Sequence, residues 1–270
     1  MNDLSKPELQ DDLLRVALLL ADAARTAILP HFRAPGLHAE NKLSDGQYDP
    51  VTVADRAAEQ AMIAILTRER PDDAILGEEF GLKPGTSGLK WVLDPIDGTR
   101  GFISGTPTWG VLIAVGDADG PALGIIDQPY IGERFVGGFG QAWSEGPRGR
   151  HDIAVRGVEN LAEATLFTTF PEVGSTAERL AFEALSGQVR LTRYGMDCYA
   201  YALLAAGQID LVVEAGLNAY DIQAPIAVIQ AAGGIVTDWT GAPAHAGGRV
   251  LAAANERLHT AALAVLRSAK

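Results

Sequence analysis

The sequence predicts a layered α/β protein of mixed α+β type, and three observations carry that expectation. Segments with apolar residues at helical spacing alternate with short strand-like runs. A hydrophobic share of 47% over 270 residues can bury a sizeable core. No segment recurs at a period of about 20–50 residues, which sets solenoids and propellers aside.

The elements follow in chain order. Residues 8–33 place Leu9, Leu13, Val16, Leu20 and Ala24 at helical spacing and predict a helix. Residues 34–51 are polar and predict loop. Thr52 and Asp55 stand as a Thr-x-x-Asp pair ahead of Ala58, Met62, Ile65 and Leu66. That capping-box pattern opens a second helix, ending near Arg70-Pro71. Short apolar runs at 74–77 and 90–93 lead into acids and read as strands, the second closed by a turn at Pro95. Residues 109–115 and 122–126 are strands joined by a turn at 116–120, with another strand at 134–138. Beyond Gly149 the alternation is regular: strand 164–168, helix 176–185, strand 189–192, helix 197–206 and strand 209–214. A helix from about Asp221 to residue 232 ends at Gly233-Gly234, strand 235–238 follows, and Asn255 caps a closing helix. The change of pattern predicts two halves, 1–148 and 149–270, without a long linker.

Composition excludes several classes. Against 22 Lys+Arg stand 34 Asp+Glu, a net charge of −12. No basic stripe exists to neutralise phosphates, so nucleic acid is not the expected partner. No apolar run approaches the ~18 residues of a membrane span. The acidic start, Met1 to Asp12, leads into no cleavage site and does not read as a secretory signal. A single cysteine, Cys198, excludes an internal disulfide and a Cys-rich zinc site; a cytoplasmic location is expected. His31, His38, His151, His245 and His259 show no metal-ligand spacing. Asp117-Ala-Asp119 reads as a hairpin turn, and Gly137-Gly-Phe-Gly140 lacks the strand–glycines–helix order of a dinucleotide site.

The acids gather in four segments: Asp49-Pro-Val-Thr-Val-Ala-Asp55, Gly77-Glu-Glu79, Asp94-Pro-Ile-Asp-Gly-Thr99 and Asn218-Ala-Tyr-Asp221. In the third, a strand runs straight into Asp94, Asp97 follows, and Gly98 lets a ligand approach the backbone. Two carboxylates so close repel each other unless a cation lies between them. Oxygen ligands without His or Cys suit a hard ion such as Mg²⁺. A lone acidic turn is more often solvated surface; the Glu78-Glu79 pair after a second strand shifts the balance toward a metal site.

Trp91-Val-Leu-Asp-Pro-Ile-Asp-Gly-Thr99 together with Gly77-Glu-Glu79 resembles the inositol monophosphatase superfamily. A second signature of that family, Trp-Asp followed by small residues and Gly-Gly, is matched by Tyr220-Asp221 through Gly233-Gly234, with Tyr for Trp and Pro225 for a small residue. Pro225 predicts a helix that begins late or bends. The likeness spans roughly residues 8–268. It implies an αβαβα sandwich of the inositol monophosphatase/fructose-1,6-bisphosphatase type and a Mg²⁺-dependent phosphatase working by in-line attack of a metal-activated water. Carried over by position, Glu78, Asp94 and the Ile96 carbonyl would hold one Mg²⁺ and Asp94, Asp97 and Asp221 a second, with a third, weaker ion near Glu78. Asp49 and Thr99 match the pair that orients and deprotonates water. Asp97, Gly98, Thr99 and Asp221 border the substrate, with the Gly98 and Thr99 amides toward its phosphate. Glu79 and Asp45 have less certain places, and Asp55 reads as a helix-capping acid rather than a ligand. The family also implies a homodimer.

The leaving group must be read elsewhere. Gly195 and Asp197 fall where the inositol phosphatases meet sugar hydroxyls, and Glu214 has the spacing from Asp221 of a substrate-binding Glu. An ammonium or imidazolium gains from extra carboxylates; a neutral polyol does not. L-histidinol phosphate carries both cations. The wording of 97–110, 124–129, 191–200 and 211–221 resembles the histidinol-phosphate phosphatase branch. An inositol-1-phosphate phosphatase comes next. A nucleotide bisphosphate phosphatase comes third, because Arg190 and Arg193 read as solvated rather than as a second phosphate site. A non-catalytic metal-binding scaffold is disfavoured, since Asp49, Thr99 and the bridging acid are all present.

Overall fold

The computed structural model describes residues 3–41 and 50–268. Helix α1 (Pro7–Ile28) starts with Pro7, whose missing N–H has no intrahelical partner to lose. It stops short of residue 33 because Pro30 cannot donate the next ladder bond. Within the expected loop, β1 (Ala39–Asn41) and β2 (Pro50–Thr52) pair antiparallel. Helix α2 (Val53–Glu69) carries the expected cap: Thr52 N donates to Asp55 Oδ2 at 2.8 Å, and Ala54 N to Thr52 Oγ1 at 3.1 Å.

One eight-stranded sheet contains β3 (Ala74–Gly77), β4 (Gly81–Lys83), β5 (Lys90–Asp97), β6 (Gly110–Asp117), β7 (Gly120–Gln128), β8 (Glu133–Gly138), β9 (Gln141–Gly146) and β10 (Gly149–Asp152). Its order is β10-β9-β8-β7-β6-β5-β3-β4, with β5 to β10 an antiparallel meander and β3 parallel to β5. Strands β4 and β10 escape sequence reading because every residue in them is exposed, so no apolar alternation marks them. The 148/149 division falls in the β9–β10 turn; the change of sheet comes between Asp152 and Thr165. Strand β5 also corrects the expected turn at Pro95. It continues to Asp97, with its register against β6 shifting between Asp94 and Asp97. Such a bulge tolerates a residue that cannot donate to the ladder.

The second sheet has five strands, β11 (Thr165–Thr168), β12 (Leu191–Tyr194), β13 (Leu211–Leu217), β14 (Ile235–Asp238) and β15 (Gly248–Ala253), in the order β12-β11-β13-β15-β14. Four helices accompany it: α4 (Thr176–Ser186), α5 (Asp197–Ala205), α6 (Ala219–Ala231) and α7 (Glu256–Ser268). The cap on α7 is present, with Leu258 N donating to Asn255 Oδ1 at 3.1 Å.

Strand alternation sorts the side chains into three apolar layers. Trp91 and Leu93 pack with α1 and α2, whereas Val92 faces the opposite way toward α5 and α6. Val212 and Ala252 of the second sheet close that middle layer, and Leu211 and Leu251 face α4 and α7. The result is the expected αβαβα sandwich. Helix α6, packed between both sheets, corrects the late start expected from Pro225. It begins at Ala219, ahead of Asp221, and runs through the proline. Ile222, Ala224, Pro225, Ile226, Val228 and Ile229 are all buried, so tertiary packing outweighs the lost ladder bond.

Candidate active site

Between the two sheets lies a cleft of about 290 Å³, and the ends of several elements converge on it. Strand β5 supplies Asp94, Ile96 and Asp97. The turn after β3 supplies Glu78, and the short helix α3 (Thr99–Ser104) with its cap supplies Gly98, Thr99 and Arg100. From the second half come Asp197 at the start of α5, Glu214 on β13 and Asp221 in the first turn of α6. Asp49 and Asp45 lie outside the described residues; Pro50 lines the cleft. Gly195 is not among the lining residues, and its N–H goes to the carbonyls of Thr168 and Thr169.

Carboxylate oxygens of Asp94, Asp97 and Asp221 lie within 4.8 Å of one another. Among the described residues neither Asp94 nor Asp97 has a Lys or Arg at ion-pairing distance. Ile96 N donates to Asp94 Oδ1 at 3.0 Å, and Cys198 N to Asp97 Oδ2 at 2.6 Å. Burial, then the charges of Glu78, Asp97 and Asp221, push the Asp94 carboxyl well above its ordinary value. Burial, then Asp197 and Asp221, do the same to Asp97. These acids cannot all ionise together unless positive charge joins them. An all-oxygen donor set on three converging carboxylates fits a hard divalent cation.

The turn bearing Glu78 is held by a residue that the sequence reading missed. Glu59 of α2, fully buried, accepts from Glu79 N at 2.8 Å and Phe80 N at 3.0 Å. A side chain at Gly77 would occupy the space of the Glu59 carboxylate, so glycine lets the two approach. The available signal was spacing: Glu59 stands four residues after Asp55, on the stripe of Ala58 and Met62. Asp55 caps α2 as expected, but its Oδ1 is buried without a hydrogen-bond partner among the described residues. Burial, reinforced by Glu78 and Glu79 and opposed by Thr52, raises its carboxyl to about 6.

Thr99 Oγ1 donates to the Ile96 carbonyl at 3.1 Å. Gly98 has φ 82°, and a Cβ there would lie 2.9 Å from the Asp197 side chain. Asp197 thus sits directly over the turn that opens α3, itself at φ 45°, a rare conformation outside glycine. It does not cap its own helix; Thr108 Oγ1 reaches its Oδ2 at 3.5 Å. Burial raises its carboxyl to about 6, against the Thr108 hydroxyl and the Arg100 charge. Glu214 accepts from Thr169 N at 2.6 Å, Thr169 Oγ1 at 2.8 Å and Thr168 Oγ1 at 3.2 Å. It anchors the loop after β11 while lining the cleft. Burial raises it to about 7, with those hydrogen bonds opposing.

Two further contributors had no signal in the sequence. Phe170, on the loop after β11, lines the cleft, with the Arg100 guanidinium 4.9 Å from its ring centre. Tyr201 lines it too, one helical turn beyond Asp197; its buried hydroxyl has no hydrogen-bond partner among the described residues. Cys198 is a buried free thiol, as expected.

Known proteins resemble the chain throughout. The model of the Inositol monophosphatase family matches residues 9–270. The chloroplastic bifunctional phosphatase IMPL2 of Arabidopsis thaliana is 42% identical over 242 residues, 89% of this chain and 68% of the relative. The histidinol-phosphatase of Streptomyces coelicolor is 36% identical over 267 residues, 96% of this chain and 98% of the relative. The solved structure of an inositol monophosphatase from Zymomonas mobilis superposes with a TM-score of 0.84 at 42% identity, covering 95% of this chain and 98% of that one.

Proposed function

Because this chain belongs to the inositol monophosphatase family and is a phosphatase of that metal-dependent family, we propose that it hydrolyses L-histidinol phosphate with Mg²⁺. The observation that supports this ester over a neutral one is the pair Asp197 and Glu214. Both line the cleft beside the metal-type cluster, and burial holds both carboxyls above their ordinary values. A cationic leaving group returns such acids to their charged form through charge-assisted hydrogen bonds. The sequence likeness to a histidinol-phosphatase agrees.

In this reading Glu78, Asp94, the Ile96 carbonyl, Asp97 and Asp221 hold two Mg²⁺, with a third ion near Glu78. When bound, the metal supplies Lewis-acid charge toward the phosphate ester and allows the carboxylates to ionise together. The first half of the chain furnishes most ligands; the second furnishes Asp221 and the specificity acids. Gly98 and Thr99 amides receive the phosphate. Thr99 Oγ1, already donating to Ile96 O, keeps its lone pairs for the attacking water, and Asp49 takes the proton. Water oxygen bonds to phosphorus as the ester P–O bond breaks, and the departing alkoxide takes a proton from solvent. Glu59 keeps the Glu78 turn in place throughout. A homodimer and a cytoplasmic location complete the proposal; no helix among the described residues is long and apolar enough to cross a membrane.

A second reading, inositol 1-phosphate, is favoured by the likeness to the Zymomonas mobilis enzyme. Phosphate release from histidinol phosphate, inositol 1-phosphate and an adenosine bisphosphate, with and without Mg²⁺, separates these. Faster turnover of inositol 1-phosphate overturns the histidinol assignment. No Mg²⁺-dependent release from any ester revives the scaffold alternative.

A further inference from the structure

We propose that Phe170 is a specificity residue: its ring is the platform on which a planar group at the far end of the leaving alcohol stacks. The inference rests on the phosphatase site described above and deepens its substrate class. Phe170 is one of the large apolar side chains left exposed, at 44%, and it is exposed at the cleft itself. An aromatic ring half in water is usually incidental. Here three features set it apart.

First, its place is fixed. The preceding residue, Thr169, is bound through both its N–H and its hydroxyl to the buried Glu214, and its carbonyl accepts from Gly195 N at 3.0 Å. The ring therefore projects from an anchored backbone. Second, one face carries the Arg100 guanidinium at 4.9 Å, while no aromatic ring among the described residues packs against it. A cation on one face leaves the other for a ligand ring. Third, Arg100 directly follows Thr99, so the contact joins the turn that meets the phosphate to the loop held by Glu214. Glu214 lines the cleft and holds Thr169, the neighbour of this ring, so an ester with its phosphate at Asp94, Asp97 and Asp221 and its alcohol at Glu214 would bring the far end of that alcohol to Phe170. An amine near the ester oxygen meets the acids; a ring several bonds further meets Phe170. The two recognition elements are separable, because one reads charge and the other reads a flat surface.

Three esters test this. Histidinol phosphate has a ring three carbons from its ester oxygen and an amine between. The compound 3-phenylpropyl phosphate keeps the ring at that distance and lacks the amine. Propyl phosphate lacks both. Phe170→Ala should lower kcat/KM for the two ring-bearing esters by about 3- to 30-fold, mainly through KM, the range of an aromatic or cation–π contact. Propyl phosphate should change by less than about 2-fold. Phe170→Trp should retain ring selectivity, and the thermal midpoint should stay put in both variants. An equal loss on all three esters, or no loss on either ring ester, overturns the proposal. So does a wild-type enzyme that shows no preference for 3-phenylpropyl over propyl phosphate. If histidinol phosphate proves a poor substrate but Phe170→Ala selectively weakens the phenylpropyl ester, the platform stands and the histidinol assignment falls.

Discussion

Two sets of buried acids sit within one chain and are treated in opposite ways. Asp127, fully buried on β7, is held by Arg25 at 2.8 Å and Arg134 at 2.7 Å, and Arg134 also reaches Asp22. Asp210, equally buried, is paired with Arg156 and accepts from Thr165 N at 2.7 Å; Asp73 is paired with Arg70. Asp94 is as buried, and Asp97 half-buried beside it on the cleft, yet neither has such a partner among the described residues. The contrast separates roles by chemistry. Where an acid serves the fold, the chain provides the counter-charge. Where Asp94 and Asp97 meet in the cleft, no Lys or Arg among the described residues neutralises them, and a proton or a bound cation can do so.

The largest test of that contrast pits one set against the other. Asp94→Asn should reduce turnover by more than about 10⁴-fold, because the acid proposed to bridge both ions is lost. It should also raise the melting temperature of the metal-free protein, since like-charge repulsion falls. Asp127→Ala should do the reverse to stability. It leaves Arg25 and Arg134 without their carboxylate and should cost about 3–5 kcal/mol. If both variants destabilise the metal-free protein alike, the distinction between the two sets fails.

Thr99→Ala sharpens the comparison within the cleft, by removing a group that is not a carboxylate. Turnover should fall by roughly 10²–10⁴, while Mg²⁺ affinity measured calorimetrically hardly changes. Joint collapse of binding and turnover assigns Thr99 to the metal instead.

Asp197→Ala has a smaller expected effect and concerns charge recognition alone. Losing one charged hydrogen bond should lower kcat/KM for histidinol phosphate by about 10- to 150-fold and leave glycerol phosphate nearly unaffected. An equal loss for both esters makes Asp197 a prop for the Gly98 turn and overturns the histidinol assignment.

The smallest effect is a slope with pH. Glu214 is raised to about 7 from 4.5. Below 4.5 it is protonated in folded and unfolded chains alike and contributes no penalty. As pH rises toward about 7 the unfolded chain releases the proton while the folded one keeps it, so metal-free stability declines. Chemical denaturation across that window should show the decline; the raised Asp55, Asp94, Asp97 and Asp197 carboxyls add to it, so Glu214→Gln should lessen the slope by Glu214's share, about 3 kcal/mol, without abolishing it. An unchanged slope in the variant removes Glu214 as a source.

Much of the architecture was legible locally. The α2 cap, the hairpin at Asp117-Ala-Asp119 and the alternation after β11 each arise from neighbours in sequence, so short windows suffice to see them. Misses have physical causes too. Strands β4 and β10 are fully exposed and show no period; β5 passes Pro95 on a bulge that only its pairing with β6 accommodates. Glu59 takes its role from the Glu79 and Phe80 amides, which reach it from another part of the fold.

Residue order alone was enough for the chemical type of the cleft. Acids at the ends of apolar runs, with glycine beside them, give an oxygen-rich donor set that could hold a cation once those ends converge. Such information is local, because ligand type and spacing are carried by the chain itself. Tertiary structure alone could decide which acids keep a protein partner, since Arg25 meets Asp127 across 102 positions of sequence. It alone brought Phe170 to the cleft and turned Glu214 onto the Thr168 and Thr169 hydroxyls. Distance, burial and solvent access are properties of the packed layers, and no window of sequence contains them.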